Sequence, residues 1–272
     1  MTAGTKNFTP RMVLATIAAL LFGAQWLFGE PPLWLFAAPM NLLAGVLWLA
    51  VIYEGYRRRT TSKAVQYLLS AEATYMALAM VAVVAVVLGL QSEPASTSWP
   101  VIGALLFAQT VLSLVILRGW RNESGVRWRF LIIHCGLWLA LMSALLGASD
   151  KQVLRVQVGS EPTREALNEQ GEKHFLDYEL RLENFEMEHS ESGAPERFCA
   201  TVAVDDKVVD IEVNSPYSVN LGEDIYLVSY TAEGCVLQIV RDPWRIVTTI
   251  GIAILLLGAF VLFMKGFQNR ER

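Results

Sequence analysis

The sequence predicts a polytopic α-helical membrane protein of about six spans, with an inserted extracytoplasmic all-β antiparallel domain. Three observations predict it. The hydrophobic fraction is 54%, above that of ordinary soluble domains. Long apolar runs recur, and about 18 or more such residues suffice to cross a bilayer as a helix. Between them, from about Asp150 to Asp242, lies a polar, acidic stretch in which apolar residues alternate with charged ones and turns interrupt. The boundaries read as 1–148 for a five-helix bundle, 149–243 for the β-rich domain, and 244–272 for a final span and tail.

The candidate spans are Met12–Phe28, Leu33–Tyr53, Tyr67–Leu90, Trp99–Leu117, Phe130–Ala148 and Trp244–Met264. No small-residue cleavage site follows the first, and a second run starts almost at once, so the first reads as an anchor rather than a removed signal peptide. Charge sets the orientation. Lys6 and Arg11, then Arg57, Arg58, Arg59 and Lys63, then Arg118, Arg121, Arg127 and Arg129, then Lys265, Arg270 and Arg272 fall on one side of a six-span chain. The loops Gly29–Pro32 and Gln91–Ser98 carry no Lys or Arg. By the positive-inside rule the basic side is cytoplasmic, which places the β domain on the periplasmic side of a cytoplasmic membrane.

Between Ser149 and Val247 stand twenty Asp or Glu against nine Lys or Arg, a balance of −11. Such a surface serves solubility, or attracts a basic polypeptide. It argues against nucleic-acid binding. Within the domain, Gly159–Lys173 reads as loop, with room for a helical turn. Tyr178, Leu180 and Leu182 share one phase, and Phe185 and Met187 the other, so a bulge is expected near Asn184. This strand ends at Ser192–Pro195. Phe198, Ala200, Val202 and Val204, a turn at Asp205-Asp206, and Val209, Ile211 and Val213 form a hairpin. Asn214–Pro216 breaks the run and Leu221–Glu223 turns. Ile225–Tyr230 and Cys235–Val240 then form a hairpin around Glu233-Gly234, completing a small sandwich or barrel-like sheet. Cys199 and Cys235 lie where a disulfide could persist, but Cys199 is out of phase with its strand's apolar face, and pairing stays open. Asp242-Pro243 leaves almost no linker before the last span, so the domain is expected to sit rigidly on the bilayer.

Soluble catalytic signatures are absent: there is no phosphate-cradling glycine loop, no Cys-x-x-Cys and no His-Glu-x-x-His. His174 and His189 stand among charged residues and read as solvated. His134 is different, because it lies within the fifth span, where ionisable groups are costly and face a bundle interior, a cavity or a cofactor. It lies about 6 Å inside the cytoplasmic end at 1.5 Å per residue, above Arg127 and Arg129. An imidazole over two guanidiniums suits an axial ligand to haem iron over two propionate clamps. It equally suits a structural histidine bonded to a neighbouring helix, with the arginines as topology signals. Gln25 and Gln109 are placed for interhelical hydrogen bonds. Asn41 follows Pro39, which can kink its helix. Glu72, near the basic loop, could pair with Lys63 or gate a proton or ligand.

These residues bring a resemblance into view. Tyr178-Glu-Leu-Arg-Leu-Glu-Asn-Phe185, Ser192–Pro195, Ile211-Glu-Val-Asn214-Ser-Pro216, Ile225-Tyr226 with Ser229-Tyr230, and Val240-Arg241-Asp242-Pro243-Trp244 followed by Gly251 and Gly258 stand in an order that resembles the ResB/CcsB cytochrome c biogenesis proteins, in their compact Bacteroidota form. In the fifth span, His134-Cys-Gly136-Leu-Trp138-Leu-Ala140, followed by Gly147 and Asp150, is similar to the same family. The likeness runs from about Phe130 to Met264, and Pro39-Met-Asn41 is a weaker echo. The sequence departs from it at Leu227-Val228 and at Thr248-Thr249. The resemblance implies an accessory subunit of a holocytochrome c synthase complex, not an enzyme by itself, handling haem b with His134 as intramembrane ligand. The implied partners are a CcsA-like haem-handling membrane protein, apocytochrome c and a thioredoxin-like thiol reductase. The tryptophan-rich Trp-Gly-x-x-Trp-x-Trp-Asp run of the CcsA side is absent from this chain. A second axial histidine would come from the partner, since His134 is the only histidine in a candidate span. The competing class is a membrane-anchored scaffold or sensor without cofactor; a solute transporter fits less well, because no repeated halves are visible.

Overall fold

The computed structural model describes residues 9–90, 98–123, 125–189, 195–231 and 234–268. Lys6, the loop at 91–97, the strand end at 190–194, Glu233 and the basic tail at 269–272 lie outside the described residues, as do the side chains of His189 and Lys265. The chain divides into two units, Met1–Ser149 with Val247–Arg272, and Asp150–Ile246.

The first unit is helical: α1 (Pro10–Phe28), α2 (Met40–Arg57), α3 (Lys63–Leu68), α4 (Ala71–Leu90), α5 (Trp99–Gly119), α6 (Trp128–Gly147) and α7 (Arg245–Gln268). Five of these, α1, α4, α5, α6 and α7, are long and apolar enough to cross a membrane. With the sheet described below they make this a multi-pass helical membrane protein bearing an antiparallel β domain.

Two expected spans prove discontinuous. Leu33–Tyr53 is split into a 3-10 turn at Leu33–Phe36 and α2, with Ala37–Pro39 between them. Prolines at 31, 32 and 39 withhold the N–H groups a continuous helix needs. Glu54 and Arg57 then shorten the apolar part of α2. Tyr67–Leu90 is split at Leu69-Ser70, where Ser70 Oγ accepts the Ala73 N–H at 3.2 Å and starts α4 afresh.

The helices are joined by a few polar bonds and by small residues. Gln25 Oε1 accepts the Trp99 N–H at 3.0 Å, linking α1 to α5. Asn41, almost fully buried, donates Nδ2 to Leu146 O at 3.0 Å, linking α2 to α6. Ala73 and Ala77 of α4 pack on Ala108 and Val111 of α5. Glycines bring the backbones of α6 and α7 close together. A Cβ on Gly136 would lie 2.5 Å from Leu255 N, and one on Gly251 would lie 2.6 Å from Ala140 N. Ser143 Oγ and Thr248 Oγ1 meet at 2.9 Å between the same two helices. Between α5 and α6, the strands β1 (Arg121–Asn122) and β2 (Gly125–Val126) make a short hairpin.

The second unit is one eight-stranded antiparallel sheet. Its strands are β3 (Gln152–Val158), β4 (Thr163–Asn168), β5 (Lys173–His189), β6 (Pro195–Val204), β7 (Lys207–Glu212), β8 (Tyr217–Asn220), β9 (Glu223–Thr231) and β10 (Gly234–Arg241), in the spatial order β7-β6-β5-β4-β3-β10-β9-β8. The two edges turn toward each other, since β7 packs against β9 and Glu212 bridges Ser215. Barrel-like is therefore the correct alternative, and among the described residues no second sheet stacks on the first. Leu154, Val156, Leu180, Val202, Ile211, Ile225, Leu237 and Ile239 fill the inside. The expected bulge is present at Leu182/Asn184, and Asp205 (φ 51°) and Asn214 (φ 67°) hold the turns at positions Asp and Asn tolerate. The expected loop at Gly159–Lys173 is overturned, because Thr163–Asn168 forms β4. Only Ala166 of that strand is buried, so its pattern shows no alternation.

The chain enters and leaves this unit through neighbouring strands. Gln152 of β3 pairs with Arg241 of β10, and Trp244 Nε1 donates to Asp150 Oδ2 at 2.6 Å. Beside them lies a buried carboxylate: Glu223 Oε1 accepts from Tyr178 Oη at 2.8 Å and from Arg241 Nε at 2.9 Å. Burial and the Glu223 carboxylate hold the Tyr178 hydroxyl protonated far above its ordinary range.

Cys199 and Cys235 are both buried and are not joined to each other, so no disulfide closes the sheet. Burial pushes the Cys235 thiol up to about 11, and the thiol form is a poor nucleophile. In the folded protein at about pH 8, a water-soluble maleimide should leave both unmodified, and denaturant should expose both to full labelling. Fast native labelling of Cys235, read by mass spectrometry, would contradict the packing.

Candidate functional site

The first helical turns of α6 carry the sequence-predicted site. Arg127 precedes the helix, and its backbone N–H donates to Trp120 O at 2.9 Å, closing the β1–β2 hairpin onto the helix start. Phe130, His134 and Trp138 follow at four-residue spacing, which places them on one stripe. That stripe faces α5. Gly119 of α5 leaves room for the Phe130 ring, since a Cβ there would lie 2.5 Å from Phe130 Cζ. One turn beyond His134, Trp138 Nε1 donates to Ser113 Oγ at 2.8 Å, and Ser113 Oγ donates to Gln109 O at 2.8 Å. Gln109 Nε2 donates back to Trp138 O at 2.9 Å.

His134 is half-buried and fixed twice over. Its Nδ1 lies 2.8 Å from Phe130 O, and its ring stacks on Phe130 with centroids 3.9 Å apart and planes 26° apart. A carbonyl can only accept, so this bond assigns the proton to Nδ1. Nε2 is then the basic nitrogen, and among the described residues it has no hydrogen-bond partner. An imidazole held at Nδ1 by a carbonyl, with Nε2 available, is the arrangement metal-ligating histidines use. The neighbouring-helix bond expected of a structural histidine is not what holds it; the partner carbonyl belongs to its own helix.

The Arg127 guanidinium lies 4.8 Å from the Phe130 ring centroid and donates to Gly119 O at 3.3 Å. Arg127, Phe130 and His134 therefore form one continuous stack. Arg129 is exposed. At 100° per residue it leaves the helix about 140° away from His134, whereas Arg127 lies within about 20° of it. The structure thus joins Arg127 to His134 and points Arg129 elsewhere.

Other candidates resolve as follows. Gln109 makes its interhelical bond, as does Gln25. Glu72 does not pair with Lys63: it takes Arg11 in a two-bond pair, Nε–Oε1 at 2.7 Å and Nη2–Oε2 at 2.8 Å, with Tyr67 Oη at 3.5 Å. The planar guanidinium matches a carboxylate as an ammonium cannot. His174 is half-buried on β5 rather than fully solvated. Among the described residues no cluster of three His, Cys, Asp or Glu could hold a bare metal ion. The residue that sequence reasoning missed is Phe130, whose signal was its position four residues before the histidine.

These features define a multi-pass membrane protein with a curled β sheet inserted before its last span and a histidine held in the span preceding the sheet. The model of the ResB-like family matches residues 123–236, which include Arg127, Arg129, His134 and the strands from β3 to β9. The chain is similar to that family over these 114 of its 272 residues. A solved structure similar to it is a "Cytochrome c Heme Lyase CcmF", at 13% identity and a TM-score of 0.42, covering 92% of this chain and 44% of that one. The chain thus spans less than half the length of that protein. No curated protein matches.

Proposed function

We propose that the chain is the ResB/CcsB subunit of a cytochrome c maturation complex: with a CcsA-like partner it moves haem b across the cytoplasmic membrane and presents it to apocytochrome c. The observation that supports this reading is the bond from His134 Nδ1 to Phe130 O, which leaves Nε2 available to a ligand inside an apolar helix. Haem iron binds neutral imidazole at such a nitrogen. Phe130 orients the ring, and Arg127 at the helix start offers donors to a propionate. Arg129 is the second candidate clamp, serving a propionate on another side of α6. In the same reading, α2 with its preceding 3-10 turn completes six crossings, and the basic residues from Arg11 to Arg129 face the cytoplasm. The β domain then lies on the periplasmic side, where apocytochrome c and a thioredoxin-like thiol reductase would meet it. The second axial ligand belongs to the partner.

The test is the haem-to-protein ratio of the purified complex, by pyridine haemochrome assay. His134→Ala should remove most haem while subunit assembly is unchanged, and His134→Gly with added imidazole should recover part of it. Arg127→Gln should lower occupancy more than Arg129→Gln, because only the first shares the histidine's face. Full haem in the Ala variant would end the ligand role. A complex with no Soret band at all would favour the cofactor-free scaffold.

A further inference from the structure

The turn between β8 and β9 carries a side chain that suits a bilayer and not water. Its sequence is Asn220-Leu221-Gly222, and Leu221 is 73% exposed. Turn tips in water favour Gly, Asn, Asp, Pro and Ser. An isolated exposed leucine has no meaning by itself; the place of this one does. Arg245, the first residue of α7, donates Nε to Leu221 O at 2.9 Å and Nη2 to Asn220 O at 3.3 Å, and its guanidinium pairs with Asp224. Asp224 is held in turn by Ser218 Oγ at 2.6 Å. The Asp242 N–H donates to Gly222 O at 2.7 Å, and the Gly222 N–H to Asn220 Oδ1 at 2.8 Å. A Cβ on Gly222 would come within 3.1 Å of Asp242 O, so the tip lies directly against the chain that leads into α7.

The tip is therefore locked to the residue at which a membrane-crossing helix begins. Trp244 precedes that residue, and Trp and Arg at the end of an apolar helix mark the interface. From Ile246 onward the helix is apolar, and Ile246 and Ile250 are exposed along it. We propose that the β8–β9 tip is a membrane-contacting prong, with the Leu221 side chain set into the interfacial edge of the bilayer that α7 crosses. The occupant is lipid because the tip is continuous with the start of a lipid-facing helix, and because Leu221 offers hydrocarbon while every polar backbone group of the tip named above is already bonded. The prong does not depend on whether His134 binds haem.

The test uses the full chain in phospholipid nanodiscs with Cys135→Ala, Cys199 and Cys235 being buried. Spin labels are placed by Leu221→Cys, by Ser160→Cys in the exposed turn at the opposite end of β3, and by Ile250→Cys on α7. Collision with oxygen and with a water-soluble nickel chelate is measured at each. The oxygen-to-nickel ratio at 221 should exceed that at 160 several-fold and approach that at 250. A ratio at 221 equal to that at 160 would place the tip in water and overturn the proposal. A label shielded from both reagents would mean that protein covers the tip, and would overturn it too.

Discussion

Gly136→Val is expected to force α6 and α7 apart and to lower the melting temperature of the detergent-solubilised chain by roughly 4–8 °C. A first side-chain carbon at 136 would lie 2.5 Å from Leu255 N, 2.9 Å from Leu255 Cα and 3.0 Å from Gly251 O. All three are backbone atoms of α7, so no rotamer change relieves the contact. Overpacking of this kind costs about 1–3 kcal/mol, and about 2 kcal/mol corresponds to the stated shift for a chain of this size. Small residues let membrane helices approach closely, and their loss removes dispersion contacts along the whole seam. Gly251→Val should act alike, its Cβ meeting Ala140 N at 2.6 Å. Gly23→Ala is the control: nothing lies within 4 Å of that position in α1, and the change should stabilise slightly through helix propensity. If the Gly136 and Gly23 variants melt alike, the two helices do not pack through these glycines.

Arg241→Ala should be the most damaging single change in the β domain. It leaves the Glu223 carboxylate, 8% exposed, with only Tyr178 Oη at 2.8 Å and Asn220 Nδ2 at 3.4 Å. Breaking a buried pair from one side costs about 3–5 kcal/mol; Arg241 is partly reached by water, which sets the expected loss at about 3 kcal/mol. Adding Glu223→Gln should recover most of it, because an amide is far cheaper to bury than an unpaired carboxylate. Tyr178→Phe keeps the ion pair and should cost about 1.5 kcal/mol. Protease resistance of the domain in the intact protein would rank the three. An Arg241→Ala single variant as resistant as the double would show that the pair adds nothing.

Much of the fold was legible because each part obeys one period. The apolar runs announced α1, α5, α6 and α7 within a few residues, and two-residue alternation announced β5, β6, β7, β9 and β10. The breaks were harder. Ala37–Pro39 and Leu69-Ser70 sit inside apolar stretches, where hydropathy is blind to a lost N–H or a serine cap. β4 escaped because one buried alanine makes no pattern, and β8 because four residues are too short to show one. At the site, His134 was conspicuous as the ionisable residue of its span. Its orientation was not, because a histidine bonded to the carbonyl four residues earlier looks in sequence like any other. Arg127 and Arg129 looked equivalent as charges; only the helical angle separates them. The Arg11–Glu72 pair spans sixty-one positions and involves two spans whose order of packing no local pattern contains.

The clasp between Asp150 and Trp244 has a consequence for how the chain is assembled. Because β3 and β10 are neighbours, the two ends of Asp150–Ile246 emerge side by side, about one strand spacing apart. To α6 and α7 the whole sheet then behaves as a tight turn would. They form an ordinary antiparallel helical hairpin with a folded cassette where its loop should be. Closing a flexible loop of that length would cost entropy that grows with its length, whereas the pre-folded cassette presents its ends already joined. Lengthening β-turns far from the clasp should therefore leave the α6–α7 seam untouched, while opening the clasp with Asp150→Ala would return part of that closure entropy to the membrane helices.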